Sequence, residues 1–540
     1  MAPRSKLIPT QQQLAEWPWH SVESCIVQTS VLGGNDRRME AATYLADGFF
    51  LRKRLEAQRK GWQRLGALAR VWQPSRLMGI IVQSEFGTPF LAATQVFDVR
   101  PSPRKWLALE RTQDARARFV EPGMILVTCS GAVGRATLAH QPHRGTLISH
   151  DLLRVEPLSS AVWGWLYAFL RTKEARAIMV AAQYGHMIKH LETAHLDAIP
   201  VPRPLDQLLE RFNGGAREIL SLRNAADDLV REAETTYAGQ FPAVDHRGHS
   251  EDGFVSFVSS LDTRRRRLDA ACHHPHVRAI RETLAANGRL VSTLGAVVKR
   301  VFVPGRFKHV YGEGGVPYLD SADILEVCPD ITKHVLSLDA GARAEYLVEP
   351  GWLLLPCSGQ VYGNIGQVVL ATEWHAGKVL SNHVLRVVPK EPSDIRSGYL
   401  QCVLGHPTLG RPIAVSFAFG SSVPELSPDD IAGVPVPRLG VAVETAIAER
   451  MEKAAEQRAQ ADILEMSLAA DASAIVRRVI MGDLSELEGG LSMLPKEDEA
   501  DKEPHGGHLQ KPVKPPSEDF DTNLDALLAV PHKPRKRSRR

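Results

Sequence analysis

Cysteine is scarce in this chain, six in 540 residues with no Cys-x-x-Cys pair. That excludes a disulfide framework or a zinc ribbon and points to a reduced, cytosolic compartment. Long apolar runs are missing as well. The most apolar stretch, residues 161–170 (AVWGWLYAFL), has half the length a bilayer span needs, so a membrane protein is not expected. The first residues, MAPRSKLIPTQQQ, lack the apolar core and cleavage site of a signal peptide. Charge of one sign is lacking too. The formal net charge is +3, and the final ten residues alone hold six Lys or Arg, so the remainder is slightly acidic. Any nucleic-acid surface must therefore be local. Arginine outnumbers lysine 47 to 18, which suits forks to phosphate and guanine but also follows from GC-rich coding. The chain is otherwise ordinary, 44% hydrophobic and 24% charged, and long enough for three or four domains.

The common catalytic engines are also absent. There is no Gly-x4-Gly-Lys-[Ser/Thr] phosphate loop, no [Asp/Asn]-Pro-Pro-aromatic motif of amino-methyltransferases, and no acidic-x-Lys nuclease core. Three constellations tempt. Ser149-His150-Asp151 has the letters of a triad, but strand neighbours face opposite sides and cannot converge. Cys272-His273-His274-Pro275-His276 has metal-ligand letters without workable spacing for four converging ligands. Gly359, Gly363 and Gly366 lack dinucleotide-loop spacing and read as a tight turn. No catalytic residue, metal or cofactor is expected.

What the chain has is a repeat of itself. Residues 121–131 (EPGMILVTCSG) recur as 349–359 (EPGWLLLPCSG), with seven of eleven positions identical. Colinear matches flank this pair: Arg38-Met39-Glu40-Ala41 with Arg267-Leu268-Asp269-Ala270, Gly87 with Gly315, SHDLLRVEP at 149–157 with SNHVLRVVP at 381–389, and IPVPR at 199–203 with VPVPR at 434–438. Residues 20–240 and 250–480 are thus two copies of one unit. Each copy opens with a mixed α/β region in which short apolar runs such as 124–128 and 152–155 predict strands. A Pro-punctuated exit follows and predicts an extended linker. A helix comes next. In the first copy Leu205, Phe212, Ile219, Ala226 and Ala233 recur as a heptad stripe, joined by Leu208, Leu222 and Leu229, with Asn213-Gly214-Gly215 as a possible kink. The second helix is predicted over 441–480, with Val443, Ile447, Met451, Ala454, Leu464, Leu468, Ile475 and Val479 on its apolar face. Two helices placed identically after two repeated regions are expected to pair with each other. The composition of 481–540 predicts a disordered tail with a basic end, in which 519–530 is suited to a short helix on a partner.

Two α/β regions, each leading through a Pro-rich exit into a long helix, resemble the specificity subunit of type I restriction–modification systems. The resemblance rests on Arg-Leu-Asp-Ala at 267–270 and its weaker copy at 38–41, Gly-x-Pro-aromatic-Leu at Gly87 and Gly315, the turns Ser130-Gly131 and Ser358-Gly359, and Tyr184-Gly185 or Phe419-Gly420 ahead of the exits. It covers about 460 residues. The family's "PL-x-EQ" helix start is missing from both helices. The resemblance implies a mixed α/β fold with target-recognition domains at 1–203 and 250–438. It implies spacer helices at 204–240 and 439–480, paired as an antiparallel coiled coil, and the tail at 481–540. It implies a non-catalytic, cytoplasmic DNA reader, each domain reading half of a bipartite target in double-stranded DNA, docked to methyltransferase subunits and a translocating endonuclease subunit. A helical scaffold binding protein partners in another defence assembly is the alternative.

Basic or amide residues on Gly-rich loops are the natural DNA contacts. Arg76 and Arg306 occupy matching positions after Pro74 and Pro304, with Lys308 and His309 following in the second copy. Arg135, Gln360 and Asn364 sit in the Ser-Gly turns; His186 and Lys189 follow Tyr184-Gly185, and Ser421 and Ser422 are their counterparts. In the run Arg264–Arg267, Arg267 belongs to the repeat motif and reads as structural, the other three as placed to meet phosphate.

Overall fold

A computed structural model describes residues 27, 40–58, 61–185, 189–244, 253–255, 267–286, 290–336, 338, 343–391 and 395–487. His186, Arg38-Met39, Arg264 to Arg266 and the tail from residue 488 lie outside the described residues. The fold is mixed α/β, with several helices and small sheets. No described helix is long and apolar enough to cross a membrane.

The apolar runs form the strands that the sequence predicts. Ile125–Thr128 and Leu353–Pro356 are each buried along their whole length. Alternate side chains serve opposite faces. Ile125 and Val127 enter one core cluster and Leu126 another, while Leu353 and Leu355 separate from Leu354 in the same way. Each run lies inside an antiparallel four-stranded sheet. The strand order is Ala69–Trp72, Leu152–Pro157, Ile125–Thr128, Ala136–Leu138 in the first half, and Val298–Phe302, Val384–Pro389, Leu353–Pro356, Val369–Leu370 in the second. A second sheet, of four strands in the first half and three in the second, accompanies each, with one parallel pair: Thr88–Leu91 beside Leu147–Ile148, and Tyr311–Leu319 beside Val379–Leu380.

The Pro-rich exits are not free linkers. Pro200–Pro202 pairs antiparallel with Trp62–Arg64, and Pro435–Pro437 with Val291–Thr293. The reason lies in the spacing. In a two-stranded pair only alternate residues turn their N–H toward the partner. Ladder bonds run from Leu65 to the Ile199 carbonyl and from Arg203 to that of Gly61, so both prolines fall on the outward-facing positions.

The helix Asp206–Ala238 runs through Asn213-Gly214-Gly215 without a break. Asn213 is buried and accepts from the Gly164 N–H at 2.7 Å, while its amide donates to the Ala161 carbonyl. A Cβ on Gly215 would stand 2.9 Å from the Leu468 side chain, so close helix approach explains that glycine. Its buried seam keeps Phe212, Ile219, Ala226 and Ala233, but the second stripe is Leu209, Ala216, Arg223, Val230 and Tyr237. Leu208, Leu222 and Leu229 are only half-buried. The stripe is displaced by one residue because a buried arginine belongs to it.

The helix Val441–Ile480 faces this one along its length. Arg211 pairs with Asp471, Arg223 with Asp462, Asp227 with Arg458 and Glu232 with Arg450. The second number falls as the first rises, so the helices are antiparallel. Each helix serves both halves. Phe212 and Ile219 pack into the first half's core with Leu468, Ile475 and Val479, while Ala226, Val230 and Tyr237 join the second half's core with Ile447 and Met451.

The halves also touch directly. The Val99 N–H donates to the Leu325 carbonyl at 2.7 Å and the Val327 N–H to that of Phe97 at 2.8 Å, which pairs Asp98 with Glu326. These are corresponding positions of the repeat, Phe97-Asp98-Val99 against Leu325-Glu326-Val327.

Candidate nucleic-acid interface

Three distant motifs of each half meet at one edge. In the first half the strand Ile125–Thr128 ends in the Cys129-Ser130-Gly131 turn. The Cys129 N–H donates to the Asp151 carbonyl at 3.0 Å, and the Gly131 N–H to the Lys189 carbonyl at 3.2 Å. Ser130 Oγ and His190 Nδ1 lie 3.0 Å apart. Gly131 sits at φ 71°, a left-handed value its turn requires. The second half repeats the backbone contacts, while its serine meets a histidine of the middle motif. The Cys357 N–H donates to the His383 carbonyl at 2.9 Å, the Gly359 N–H to the Pro424 carbonyl at 3.0 Å, and Ser358 Oγ lies 2.9 Å from His383 Nδ1.

The loop after the edge strand joins the first of these clusters. Gln73 donates from Nε2 to the His150 carbonyl and lies 3.3 Å from Cys129 Sγ. Arg118, fully buried, donates to the Ser75 carbonyl at 2.8 Å and holds the loop that carries Arg76 outward. Burial lowers the basicity of the His150 imidazole, and Arg118, Arg76 and Arg154 add to this against Asp151. In the second half Tyr346 donates its hydroxyl to the Gly305 carbonyl. Phe307 stacks edge-on with Tyr346 at 4.4 Å and with His309 at 4.3 Å, fixing the loop that carries Arg306, Lys308 and His309.

Arg76, Lys189, Arg306, Lys308, His309, Gln360, Ser421 and Ser422 are exposed, and Asn364 is half-buried. Arg135 is different. Its side chain is 13% exposed, bound to Glu326 and, at 3.2 Å, to Asp330 of the other half, and it lies over the Phe97 ring. It is occupied in joining the halves and does not present an open fork to DNA.

The constellations that mimic catalysis have local roles. Ser149 donates to Asp151 Oδ2 at 2.8 Å and accepts from the Asp151 N–H, closing a turn in which the serine bonds the carboxylate, while His150 Nε2 lies 3.7 Å from the other Asp151 oxygen. His273 Nε2 meets the Arg267 carbonyl at 2.7 Å, and His274 accepts from the His276 N–H at the start of the helix Pro275–Leu284. Arg267 forks Asp269 and donates to the Phe417 and Ala418 carbonyls, tying the opening motif to the segment before Phe419-Gly420.

Two residues escape a reading of the loops. Arg154 and Arg386 are fully buried at the same place in each half. Arg154 donates to the carbonyls of Ser149, Leu152 and Ile148, and Arg386 to those of Ser381, Val384 and Leu380. Burial pushes Arg154 down to about 9 and Arg386 down to about 10. Each is a cation clamped beneath the turns by backbone carbonyls, Arg154 lying also over the Trp72 ring at 5.6 Å, so it adds positive potential to that edge. Their signal in the sequence is the shared Leu-Arg-Val of the repeat.

A buried ionic knot joins the halves to the helices. Arg223 binds Asp462 at 3.1 Å and Glu465; Arg171 binds Glu465 at 2.8 Å, and Tyr167 donates to it. Asp462 accepts from the Cys328 N–H at 3.0 Å. Burial works to raise Glu465, but Arg223 and Arg171 outweigh it and hold the carboxyl below its usual range. Cys328, Asp462 and Glu465 form the only metal-type trio among the described residues. Arg171 and Arg223 already supply its countercharge.

No family model matches the sequence, and no curated protein matches it. Among solved structures the chain is similar to the S subunit of a type I restriction–modification system from M. genitalium, at 13% identity and TM-score 0.29, covering 78% of this chain and 96% of that one. It is also similar to the HsdS subunit from Thermoanaerobacter tengcongensis, at 15% identity and TM-score 0.24, covering 79% and 98%. A third similar chain comes from a structure concerned with complex assembly and conformational transition of the type I restriction–modification system, at 16% identity and TM-score 0.26, covering 78% and 98%. At such scores the functional reading rests on this chain's own residues.

Proposed function

We propose that the chain is the DNA-binding specificity subunit of a type I restriction–modification complex. One observation carries this reading. The same three turns converge at one edge of each half, above a buried arginine, and both halves stand on one antiparallel pair of long helices. Residues 1–203 and 250–438 act as two target-recognition domains, each reading one half of a bipartite site in double-stranded DNA. Arg76, Lys189, Arg306, Lys308 and His309 meet phosphate or guanine edges. His186, Gln360, Asn364, Ser421 and Ser422 complete the reading loops. The helices at 204–240 and 439–480 pair as a coiled coil, set the distance between half-sites and dock methyltransferase subunits, with a translocating endonuclease joining them. The chain supplies recognition and no chemistry, and it works in the cytoplasm.

Salt dependence tests the reading. A subunit neutralising several phosphates loses DNA affinity steeply with salt, log K falling by about 0.9 per phosphate for each tenfold rise. A measured slope of several units supports it. Affinity for duplex DNA that is negligible or independent of salt favours the protein-binding scaffold instead.

A further inference from the structure

A partly open cavity of about 230 Å³ lies at the junction of the two halves. Its walls come from residues 99–103 of the first half, from Trp374, Gln401 and Arg411 of the second, and from Ala455 and Ala459 of the second long helix. The matching place in the first half is filled by protein. There Asp227 of the first helix meets His140 Nδ1 at 3.1 Å, and Asn224 accepts from the Gln141 N–H at 2.9 Å. The repeat places Thr372 and Glu373 where His140 and Gln141 stand. The second helix lines this region with the methyl groups of Ala455 and Ala459 and with Arg458 and Asp462, whose charges are engaged by the first helix.

Two buried polar groups on the wall are idle, one a donor and one an acceptor. Trp374 and Gln401 are 6% and 7% exposed, and the indole N–H and the amide oxygen have no hydrogen-bond partner. The other charges on the wall are matched: Arg100 to Glu234, Arg458 to Asp227, Glu326 to Arg135 and Asp462 to Arg223. Arg411 donates only to the Gly363 and Ile365 carbonyls and has no carboxylate partner among the described residues. Arg100 and Arg104 add like charge around it. Ile324, Leu325 and Leu370 complete the apolar surface. An unmatched guanidinium and an idle N–H beside apolar walls suit a negative group on a flat apolar body.

We propose that this cavity binds a small organic anion, a carboxylate or phosphate monoester on an aromatic-sized body, and so ties the two halves together. The site lies behind the turn that carries Gln360 and Asn364, since Arg411 holds the Gly363 and Ile365 carbonyls, but its test needs no DNA. The melting temperature of the full chain is measured against benzoate, phenyl phosphate, inorganic phosphate and neutral benzyl alcohol. A ligand that binds only the folded state raises it in a saturable way. One or both aromatic anions should do so, their ranking separating carboxylate from phosphate, while benzyl alcohol and inorganic phosphate should not. Arg411→Gln should weaken the apparent affinity at least tenfold. Ala459→Leu, which fills the cavity without touching a charge, should abolish the shift and leave the unliganded protein folded. The proposal is overturned if neither anion shifts the melting temperature, if benzyl alcohol matches them, or if Ala459→Leu binds as the parent does.

Discussion

At the scale of single residues, the buried charges decide more than the exposed ones. Arg223 sits within the helix seam with its guanidinium on Asp462 and Glu465. Removing one member of such a group leaves an uncompensated buried charge, which costs about 3–5 kcal/mol. Arg223→Met should therefore lower the unfolding free energy by about that amount, read as a fall in the urea midpoint at unchanged slope. Adding apolar replacements at 462 and 465 should recover much of it. Asp98 behaves differently. Burial, reinforced by Glu326, pushes it up to about 7 against Arg104 and Arg135. An acid raised above its unfolded value of about 3.9 binds more protons when folded, so its contribution falls as pH rises from about 4 to about 7. The junction of the halves should be firmer at pH 5 than at pH 8. Asp98→Asn should stabilise the protein at pH 8, by about 1–3 kcal/mol, and flatten this part of the pH profile. On the outer surface, Arg76→Ala and Lys189→Ala should each reduce the salt slope of DNA binding by about one unit while lowering affinity evenly across sequences.

At the scale of elements, the division between legible and illegible is physical. The helix 441–480, the strands around Ile125 and Leu353 and the doubling of the unit follow from apolar period and internal identity, both local properties of the chain. Arg223 was hidden because a heptad search passes over charged letters, yet its partners lie about 240 positions away. The exits look like linkers because proline is poor in sheets, but alternate spacing makes it compatible with one edge. The exposure of Arg76, Lys189, Arg306, Lys308 and His309 on loops follows from their place between apolar runs, while their contact with DNA is the proposal. The burial of Arg135 was not legible, since its acidic partners belong to the other copy. The 33-residue first helix spans about 50 Å at about 1.5 Å per residue, or about 15 base pairs at about 3.4 Å each. Inserting one heptad into both helices keeps the seam in register. It should lengthen the unread spacer and leave both half-sites unchanged, as read by selection from a random duplex library.

At the scale of the molecule, the halves are less independent than the repeat alone suggests. Backbone pairing at Asp98 and Glu326, the fork of Arg135 and the pair Arg176–Asp330 at 2.7 Å join them outside the helices. Exchanging residues 20–200 for a related domain should change one half-site only, and should fold well when Arg135, Arg171 and Arg176 are retained. Without them Glu326 and Asp330 lose their partners, and the chimera should melt earlier. The central claim is that one chain carries two readers at a fixed separation. Mapping methylated bases across the genome of a host carrying the matching methyltransferase, with and without this gene, tests it most directly. The expected result is one bipartite methylated motif, two short half-sites around an unread spacer, that vanishes when the gene is removed. A methylome that is unchanged by the deletion, or a lost motif that is a single continuous site, would contradict it.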